Sequence, residues 1–263
     1  MSEMKFQVLA ADGRVKAEST GGNRVSLVFE EAYEEGDQIV FTTERTGMFY
    51  QIQVDDCLGE GVVYLTESRW VFDIPFGEKR VSYSPRVFMG ERHLLTAQPA
   101  EQRELEGRRN LALNVLDQHG DRGCFPHASA NVETRGESVF AARNAIDGVL
   151  ENLSHGEWPY ESWGINRRDD AEIRLDFGRE VEIDEIVLWT RADFPHDNWW
   201  VEATFEFSDG TEKTVQMEKS IAPHRFPMEP KKISWMKMRD MKKAEDPSPF
   251  PALTQIQVYG REL

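Results

Sequence analysis

Ala-Glu-Ile-Arg-Leu-Asp-Phe-Gly, at residues 171–178, is the clearest indication of the fold. Apolar Ile173, Leu175 and Phe177 alternate with charged residues at a period of two. Because successive side chains of a strand point to opposite faces, this pattern predicts a strand with one buried and one solvated face. Half-solvated strands are typical of antiparallel sheets, so we expect an all-β fold.

Further strands are predicted on the carboxy-terminal side of this octapeptide. Residues 183–189 are rich in β-branched and apolar side chains, and residues 201–207 alternate again. The second of these runs leads into Ser208-Asp209-Gly210, and an Asp-Gly pair is a strong hairpin signal. A last apolar run covers residues 256–260. The second half of the chain is therefore expected to consist of antiparallel strands.

Short runs of β-branched and aromatic residues also fill the first hundred positions. They cover residues 24–29, 38–41, 49–54, 62–66 and 69–74. Turn pairs separate them, which predicts consecutive antiparallel strands of a β-sandwich. Residues 101–109 are charged at nearly every position and lack an apolar face. We therefore expect two β-sandwich domains, over residues 1–100 and 128–263, joined by a linker and connecting segment at 101–127.

The composition is that of an acidic globular protein. Of its 263 residues, 31 are Lys or Arg and 47 are Asp or Glu, which gives a formal net charge of −16 at pH 7. This charge repels phosphate groups, so neither nucleic acid nor an anionic membrane is expected as a partner. Residues 1–5 lack the basic-then-apolar pattern of a secretory signal, which favours a cytoplasmic location. Two cysteines are too few for a disulfide scaffold.

A series of landmarks in the second half resembles a known family. In chain order they are Ala145-Ile146-Asp147-Gly148, a Trp within a loop, Ile173-x-Leu175-Asp176-Phe177-Gly178, Ile183-x-x-Ile186-x-Leu188, Phe207-Ser208-Asp209-Gly210 and Leu253-Thr254-Gln255-Ile256-Gln257-Val258-Tyr259-Gly260. Their order and spacing resemble the discoidin, or coagulation-factor type C, domain. The resemblance implies a jelly-roll β-sandwich of the galactose-binding type, whose bacterial members are largely carbohydrate-binding modules. It does not extend to residues 1–110, whose role the sequence leaves open.

Two loops of this half combine aromatic rings with planar polar groups. Sugars present an apolar face of C–H groups and a rim of hydroxyls, so a sugar site needs flat rings together with amide, carboxylate and guanidinium partners. The loops at 155–168 and 191–200 supply these groups, and their charges are expected to be exposed. The candidate sugar-binding residues are Glu157, Trp158, Tyr160, Trp163, Asn166, Arg167, Arg191, Asp193, His196, Asn198 and Trp200.

Some of these candidates have a structural alternative. Trp163 can anchor its loop in the core instead of forming a platform for a ligand. Alternation counted back from Phe207 sends Trp199 inward and leaves Trp200 outside, unless a bulge at the start of the strand reverses the pair. Arg191 and Asp193 can also pair with each other across their loop, a contact of small energetic value when exposed.

A calcium site is suggested by the resemblance alone. Many members of the family hold a structural calcium between the Asp-Gly loop and a Glu just before the final strand. Asp147 matches the first position, whereas Gln255 stands at the second, and a neutral amide weakens the affinity for a hard cation. Asp147 is therefore a candidate calcium ligand. The histidines lack the spacing that places two zinc ligands on one helix face.

The sequence contains no nucleophile motif with an adjacent base, no P-loop and no Gly-x-Gly-x-x-Gly. Glycoside cleavage needs only two carboxylates roughly 5–9 Å apart. Four loop residues could supply such a pair, namely Glu157, Glu161, Asp193 and Asp197. We predict non-catalytic recognition of a saccharide by the two loops. The alternatives are a cytoplasmic glycoside-cleaving enzyme and an assembly subunit that uses exposed aromatic residues.

Overall fold

The computed structural model describes residues 3–120, 123–151, 158–192 and 197–263. The strands of this part of the chain are β1 (Met4–Leu9), β2 (Val15–Gly21), β3 (Val25–Phe29), β4 (Gln38–Thr43), β5 (Met48–Gln53), β6 (Glu60–Leu65), β7 (Arg69–Asp73), β8 (His93–Pro99), β9 (Arg109–Asn110), β10 (Cys124–Phe125), β11 (His127–Ala130), β12 (Trp163–Gly164), β13 (Ile173–Thr190), β14 (Trp200–Phe207), β15 (Glu212–Gln216), β16 (His224–Lys243) and β17 (Ala252–Glu262). The helical segments are α1 (Gln102–Leu105) and the 3-10 turns Gly77–Arg80, Thr134–Gly136, Ser138–Phe140 and Ala142–Ile146.

Among the described residues, no helix has the length and apolar character needed to span a membrane. The prediction of an all-β fold is confirmed.

The amino-terminal strands form two sheets with a shared core. One sheet has the strand order β2-β1-β4-β7 and the other has the order β10-β6-β5-β8-β3. Side chains of both sheets meet in one buried cluster, where the ring centroids of Phe41 and Tyr50 lie 5.4 Å apart. The expectation that the predicted strands pair consecutively is confirmed for β5 and β6 but wrong for β3, β4 and β5, which alternate between the two sheets. Each sheet has an apolar face that the other must cover, so the chain crosses repeatedly from sheet to sheet.

Strand β13 is the centre of the second half. It pairs antiparallel with β16 on one side and, in different stretches, with β11 and β17 on the other. Ile173, Leu175 and Phe177 are buried, as their alternation predicts, and they pack into one apolar core with residues of β14, β16 and β17. The two strands predicted at 171–178 and 183–189 are one strand, because register shifts carry the pairing across the break between them.

Gly178 marks the place where the two halves of the chain meet. Its φ is +67°, and a Cβ atom at this position would lie 2.4 Å from the ring of Phe125. Phe125 belongs to β10, which pairs with β6 of the first half, while β11 pairs with β13 of the second. The Arg179 guanidinium also lies 4.4 Å from the ring centroid of Phe49. Strands of the connecting segment therefore contact both halves, and the domain division at 101–127 stays a prediction.

The orientation of the tryptophan pair at the start of β14 is the reverse of the one predicted. Trp200 is 0% exposed and stacks on Trp163, with ring centroids 6.4 Å apart, whereas Trp199 is half-buried. The pairing of β14 with β16 shifts register between Trp200 and Glu202 and again before Thr204. These bulges change the parity of the strand, so the inward face passes from Ala203 to Trp200 instead of Trp199.

Candidate functional site

A cavity of about 240 Å³ opens at the end of the second half's sheet. It lies where β12 pairs with the first residues of β17 and where β13 ends. Its walls are formed by Thr134, Arg135, Phe140, Tyr160, Gly164, Ile165, Asn166, Arg167, Arg191, Asp197, Phe250, Pro251 and Ala252. The described parts of both predicted loops therefore line a single cavity.

Each aromatic ring of this cavity has an arginine against it. The distances from guanidinium carbon to ring centroid are 5.7 Å for Arg135 and Phe140, 4.6 Å for Arg167 and Phe250, and 4.1 Å for Arg191 and Tyr160. Cation–π contacts of this kind attract a guanidinium to the ring and so help to hold it in place. The cavity wall therefore combines aromatic rings with guanidinium groups that lie against them.

The backbone of the cavity wall is held in an unusual conformation. Five described residues other than glycine have a positive φ, and three of them line the cavity: Arg135 (54°), Asn166 (48°) and Arg167 (66°). The backbone N–H of Asn166 donates to Oγ1 of Thr134 over 2.9 Å, and Nζ of Lys243 donates to the carbonyl of Arg167 over 3.3 Å. Such conformations cost on the order of 1–3 kcal/mol each and cluster at functional sites. Their concentration here supports a functional role for the cavity.

Arg191 and Asp197 form a buried ion pair in the cavity wall. Nε of Arg191 donates to Oδ2 of Asp197 over 3.1 Å, and Nη1 donates to the carbonyl of Tyr160 over 3.5 Å. Only 2% of Arg191 is exposed. The expectation that it is an exposed loop charge is wrong, because its backbone N–H donates to Ala252 over 3.1 Å and so holds the residue against the start of β17.

Three predicted sugar-binding residues have structural roles instead. Trp163 and Trp200 are stacked in the core and offer no surface to a ligand. Asn198 is also buried, and its amide donates to the carbonyls of Ala244 and Ser248 over 3.2 and 2.8 Å. These bonds hold the segment that carries Phe250, so Asn198 positions a wall of the cavity from behind.

The remaining candidates divide into three groups. Tyr160, Asn166, Arg167 and Arg191 line the cavity, and their binding to a sugar stays a prediction. Trp158 is 39% exposed but is not among the residues that form the cavity wall. Glu157, Asp193 and His196 lie outside the described residues.

Two segments of the wall were not predicted from the sequence. Phe250 lies in the proline-rich stretch Pro247-Ser248-Pro249-Phe250-Pro251, and an aromatic residue in a turn-forming stretch just before the last strand is the signal that could have identified it. Arg135 and Phe140 lie in 3-10 turns whose sequence carries no comparable signal. Oε1 and Oε2 of Glu137 accept from Arg135 over 2.6 Å each, and this bonding lowers the pKa of the Glu137 carboxyl.

The hydrogen bonds around Asp147 do not fit a calcium site. The backbone N–H of Gly148 donates to Oε1 of Gln255 over 3.1 Å, which orients the amide. Nε2 of Gln255 then donates to Oδ1 of Asp147 over 2.7 Å and to the carbonyl of Asn144 over 2.5 Å. The amide nitrogen thus binds oxygens that a hard cation would need. Burial raises the pKa of Asp147 to about 7.

No other part of the described chain offers a cluster of metal ligands. Among the residues that the structure describes, no three His, Cys, Asp or Glu side chains are grouped so that they could hold a metal ion.

The Gln255→Glu variant is expected to become calcium-dependent. Without metal, a second carboxylate beside buried Asp147 places two like charges together and lowers the stability. Calcium at 100 times its Kd would then stabilise the variant by about 2.7 kcal/mol. Thermal melts with calcium and with a chelator measure this effect, and the unmodified protein is expected to melt at the same temperature in both. A large loss of stability of the unmodified protein in chelator would show that it holds calcium.

Comparison with known proteins returns structures but no sequences. No family model matches the chain, and no curated protein matches it.

Three of the similar solved structures are sugar-binding modules from bacteria. Chitosan-binding module 1 of a chitosanase/glucanase from Paenibacillus sp. IK-5 is 19% identical, with a TM-score of 0.42 over 59% of this chain and 100% of that one. The family 32 carbohydrate-binding module of Clostridium perfringens NanJ, in complex with galactose, is 18% identical, with a TM-score of 0.39 over 50% and 91%. A fucose-binding module of Streptococcus pneumoniae is 13% identical, with a TM-score of 0.42 over 59% and 99%.

Carbohydrate-binding modules are thus among the solved structures that this chain resembles. At TM-scores of 0.42 or less, this likeness carries no conclusion about the ligand. A functional assignment has to come from the chemistry of the cavity.

Proposed function

We propose that this chain is a non-catalytic carbohydrate-binding protein whose ligand occupies the cavity beside Arg191. The observation that carries the proposal is the composition of the wall, where aromatic rings, guanidinium groups and an amide meet around one space at the end of the sheet. A sugar site needs this combination, because the ring C–H groups contact flat surfaces while the hydroxyls exchange hydrogen bonds with planar polar groups.

The size of the cavity suits one sugar residue. Its volume of about 240 Å³ lies below the roughly 300–1,000 Å³ of sites that enclose drug-sized ligands. The amide of Asn166 provides both donors and an acceptor for hydroxyls, and the exposed guanidinium groups of Arg135 and Arg167 provide donors. Since arginines already lie against the rings, hydrogen bonding to these planar groups contributes more to recognition here than stacking on an open aromatic face.

The cavity favours binding over glycoside cleavage. Cleavage uses two carboxylates that flank the scissile bond. Among the described residues of the wall, Asp197 is the one carboxylate, and it is bound to Arg191 in a buried ion pair. Asp197 therefore acts as the charge partner of Arg191, which leaves the arginine fixed in the wall.

The assembly alternative loses its main support. It relies on several exposed tryptophans in the two loops, but Trp163 and Trp200 are in the core. Trp158 is exposed by 39%, and a single exposed aromatic side chain needs no partner to explain it.

Asn166→Gly is the variant that tests the proposal. Glycine removes the amide and adopts a positive φ without strain, so the variant should lose sugar contacts while its stability changes by less than about 1 kcal/mol. Titration calorimetry against a panel of mono- and oligosaccharides is expected to find a ligand for the unmodified protein. Its affinity for Asn166→Gly should be about 3- to 10-fold lower, the value of one net hydrogen bond.

Asp240→Gly is the matched control. Asp240 also has a positive φ, of 50°, and lies outside the cavity wall. This variant should bind the same saccharide with unchanged affinity. Binding that Asn166→Gly leaves intact would place the site elsewhere, and release of reducing sugar from the bound saccharide would favour the enzyme alternative.

A further inference from the structure

The described residues of the cavity wall carry a net positive charge on an acidic protein. Its side chains include three arginines and one aspartate, whereas the whole chain has a formal net charge of −16. A local excess of cations on an acidic surface favours an anionic group in the ligand, and the hydrogen-bond partners of each arginine show where that group would bind.

Two of the three arginines are already neutralised by a carboxylate. Arg191 is paired with Asp197, as described above. Arg135 donates from Nε and Nη2 to both carboxylate oxygens of Glu137 over 2.6 Å each, which is the bidentate geometry preferred by arginine. Both of these guanidinium groups therefore already have an anionic partner within the protein.

Arg167 differs from the other two. Among the described residues its guanidinium has no carboxylate within ion-pair distance, and its cation–π partner is the ring of Phe250. The acidic residues that follow it are bound to other cations. Asp169 pairs with Lys243 over 2.6 Å, and Asp170 pairs with Arg168 over 2.6 Å.

The position of the Arg167 side chain is supported from two sides. Lys243 holds the carbonyl of Arg167, whose backbone is in the left-handed region, and Phe250 attracts the guanidinium. A guanidinium held in this way loses less conformational entropy when it binds, and its planar fork matches the two oxygens of a carboxylate.

We infer that the saccharide bound by this cavity is acidic, with a carboxylate that pairs with the guanidinium of Arg167. The inference rests on the proposed function and adds the class of sugar to it. Hexuronic acids are the simplest sugars with this chemistry. A neutral sugar would form no ion pair with Arg167. A hexuronate would form this ion pair and would still present hydroxyls to Asn166.

The test compares acidic sugars with their uncharged methyl esters and with the parent hexoses. Titration calorimetry would measure the affinity of the unmodified protein for D-galacturonate and D-glucuronate, for their methyl esters, and for galactose and glucose. At least one hexuronate is expected to bind tenfold or more tightly than its own ester and its neutral counterpart. This preference should weaken as the salt concentration rises, because Arg167 is exposed.

Two variants locate the carboxylate. Arg167→Gln keeps a planar polar group but removes the charge, and it should abolish the preference for the acid over the ester. Arg168→Gln is the control, because Arg168 is the next residue, is also exposed and lies outside the cavity wall. This control should keep the preference of the unmodified protein.

The outcomes separate the inference from the proposed function. If acid and ester bind equally, or if Arg167→Gln retains the preference, the inference is wrong. If neutral sugars bind more tightly than acidic ones and Asn166→Gly weakens that binding, the inference is wrong but the proposed function is supported. Tighter binding of a sulfated hexose than of any hexuronate would also overturn it. If no sugar of any kind binds, both the inference and the proposed function fail.

Discussion

Arg191→Ala is expected to lower the free energy of unfolding by about 3–5 kcal/mol, because the substitution breaks the buried ion pair between Arg191 and Asp197. The two side chains are 2% and 6% exposed, so solvent cannot replace the lost contact. The substitution also removes the guanidinium from the ring of Tyr160, which forms part of the cavity. Saccharide binding should therefore be lost along with stability. Urea denaturation and titration calorimetry of the same preparation measure the two effects.

Arg168→Ala is the control for this prediction. Arg168 pairs with Asp170 over 2.6 Å, but the two side chains are 42% and 73% exposed. Exposed pairs contribute roughly 0–1 kcal/mol, so this variant should unfold almost like the unmodified protein. An Arg191→Ala variant as stable as Arg168→Ala would show that the charge at position 197 is not buried.

Trp200→Ala is expected to cost about 3–5 kcal/mol of stability, since the substitution opens a cavity in the core of the second half. Trp200 is fully buried and stacks on Trp163, with an angle of 26° between their ring planes. Trp200→Phe should cost less. It keeps an aromatic ring and removes an indole N–H that has no hydrogen-bond partner among the described residues.

Trp158→Ala provides the comparison for the core variants. Trp158 is 39% exposed, so truncating it should change the stability far less than truncating Trp200. Chemical denaturation of the three variants would establish the order. Equal stability of Trp200→Ala and Trp158→Ala would mean that Trp200 faces solvent, as the alternation of the strand predicted.

The strand pattern of the second half could be predicted because it depends on neighbours along the chain. The apolar residues at 173, 175 and 177 are buried in the order that their spacing predicts. The join at Gly178 could not be predicted in the same way. There the chain needs a positive φ and a close approach to Phe125, and Phe125 reaches that place only through its pairing with β6.

For the candidate site too, some features could be predicted from the sequence and others depend on the folded chain. The composition of two loops was sufficient to select four candidate residues that lie together in the cavity wall, namely Tyr160, Asn166, Arg167 and Arg191. It was not sufficient to show that Arg191 is buried, because its partners Tyr160 and Asp197 reach it only in the folded chain. Likewise, the neutral side chain of Gln255 predicted a weakened calcium site, but the direction of its amide depends on the backbone of Gly148.

The all-β fold and its hairpin signals, and the composition from which the two loops are predicted to bind a sugar, are therefore properties of the sequence, because each depends on alternation or composition within about ten consecutive residues. Tertiary structure decided which tryptophan of the pair at 199–200 is buried and which arginine of the cavity has no carboxylate partner among the described residues. These outcomes depend on register shifts between β14 and β16 and on contacts such as that of Arg167 with Phe250, which join residues far apart in the chain. Such contacts exist only after the strands have paired, so no local pattern encodes them.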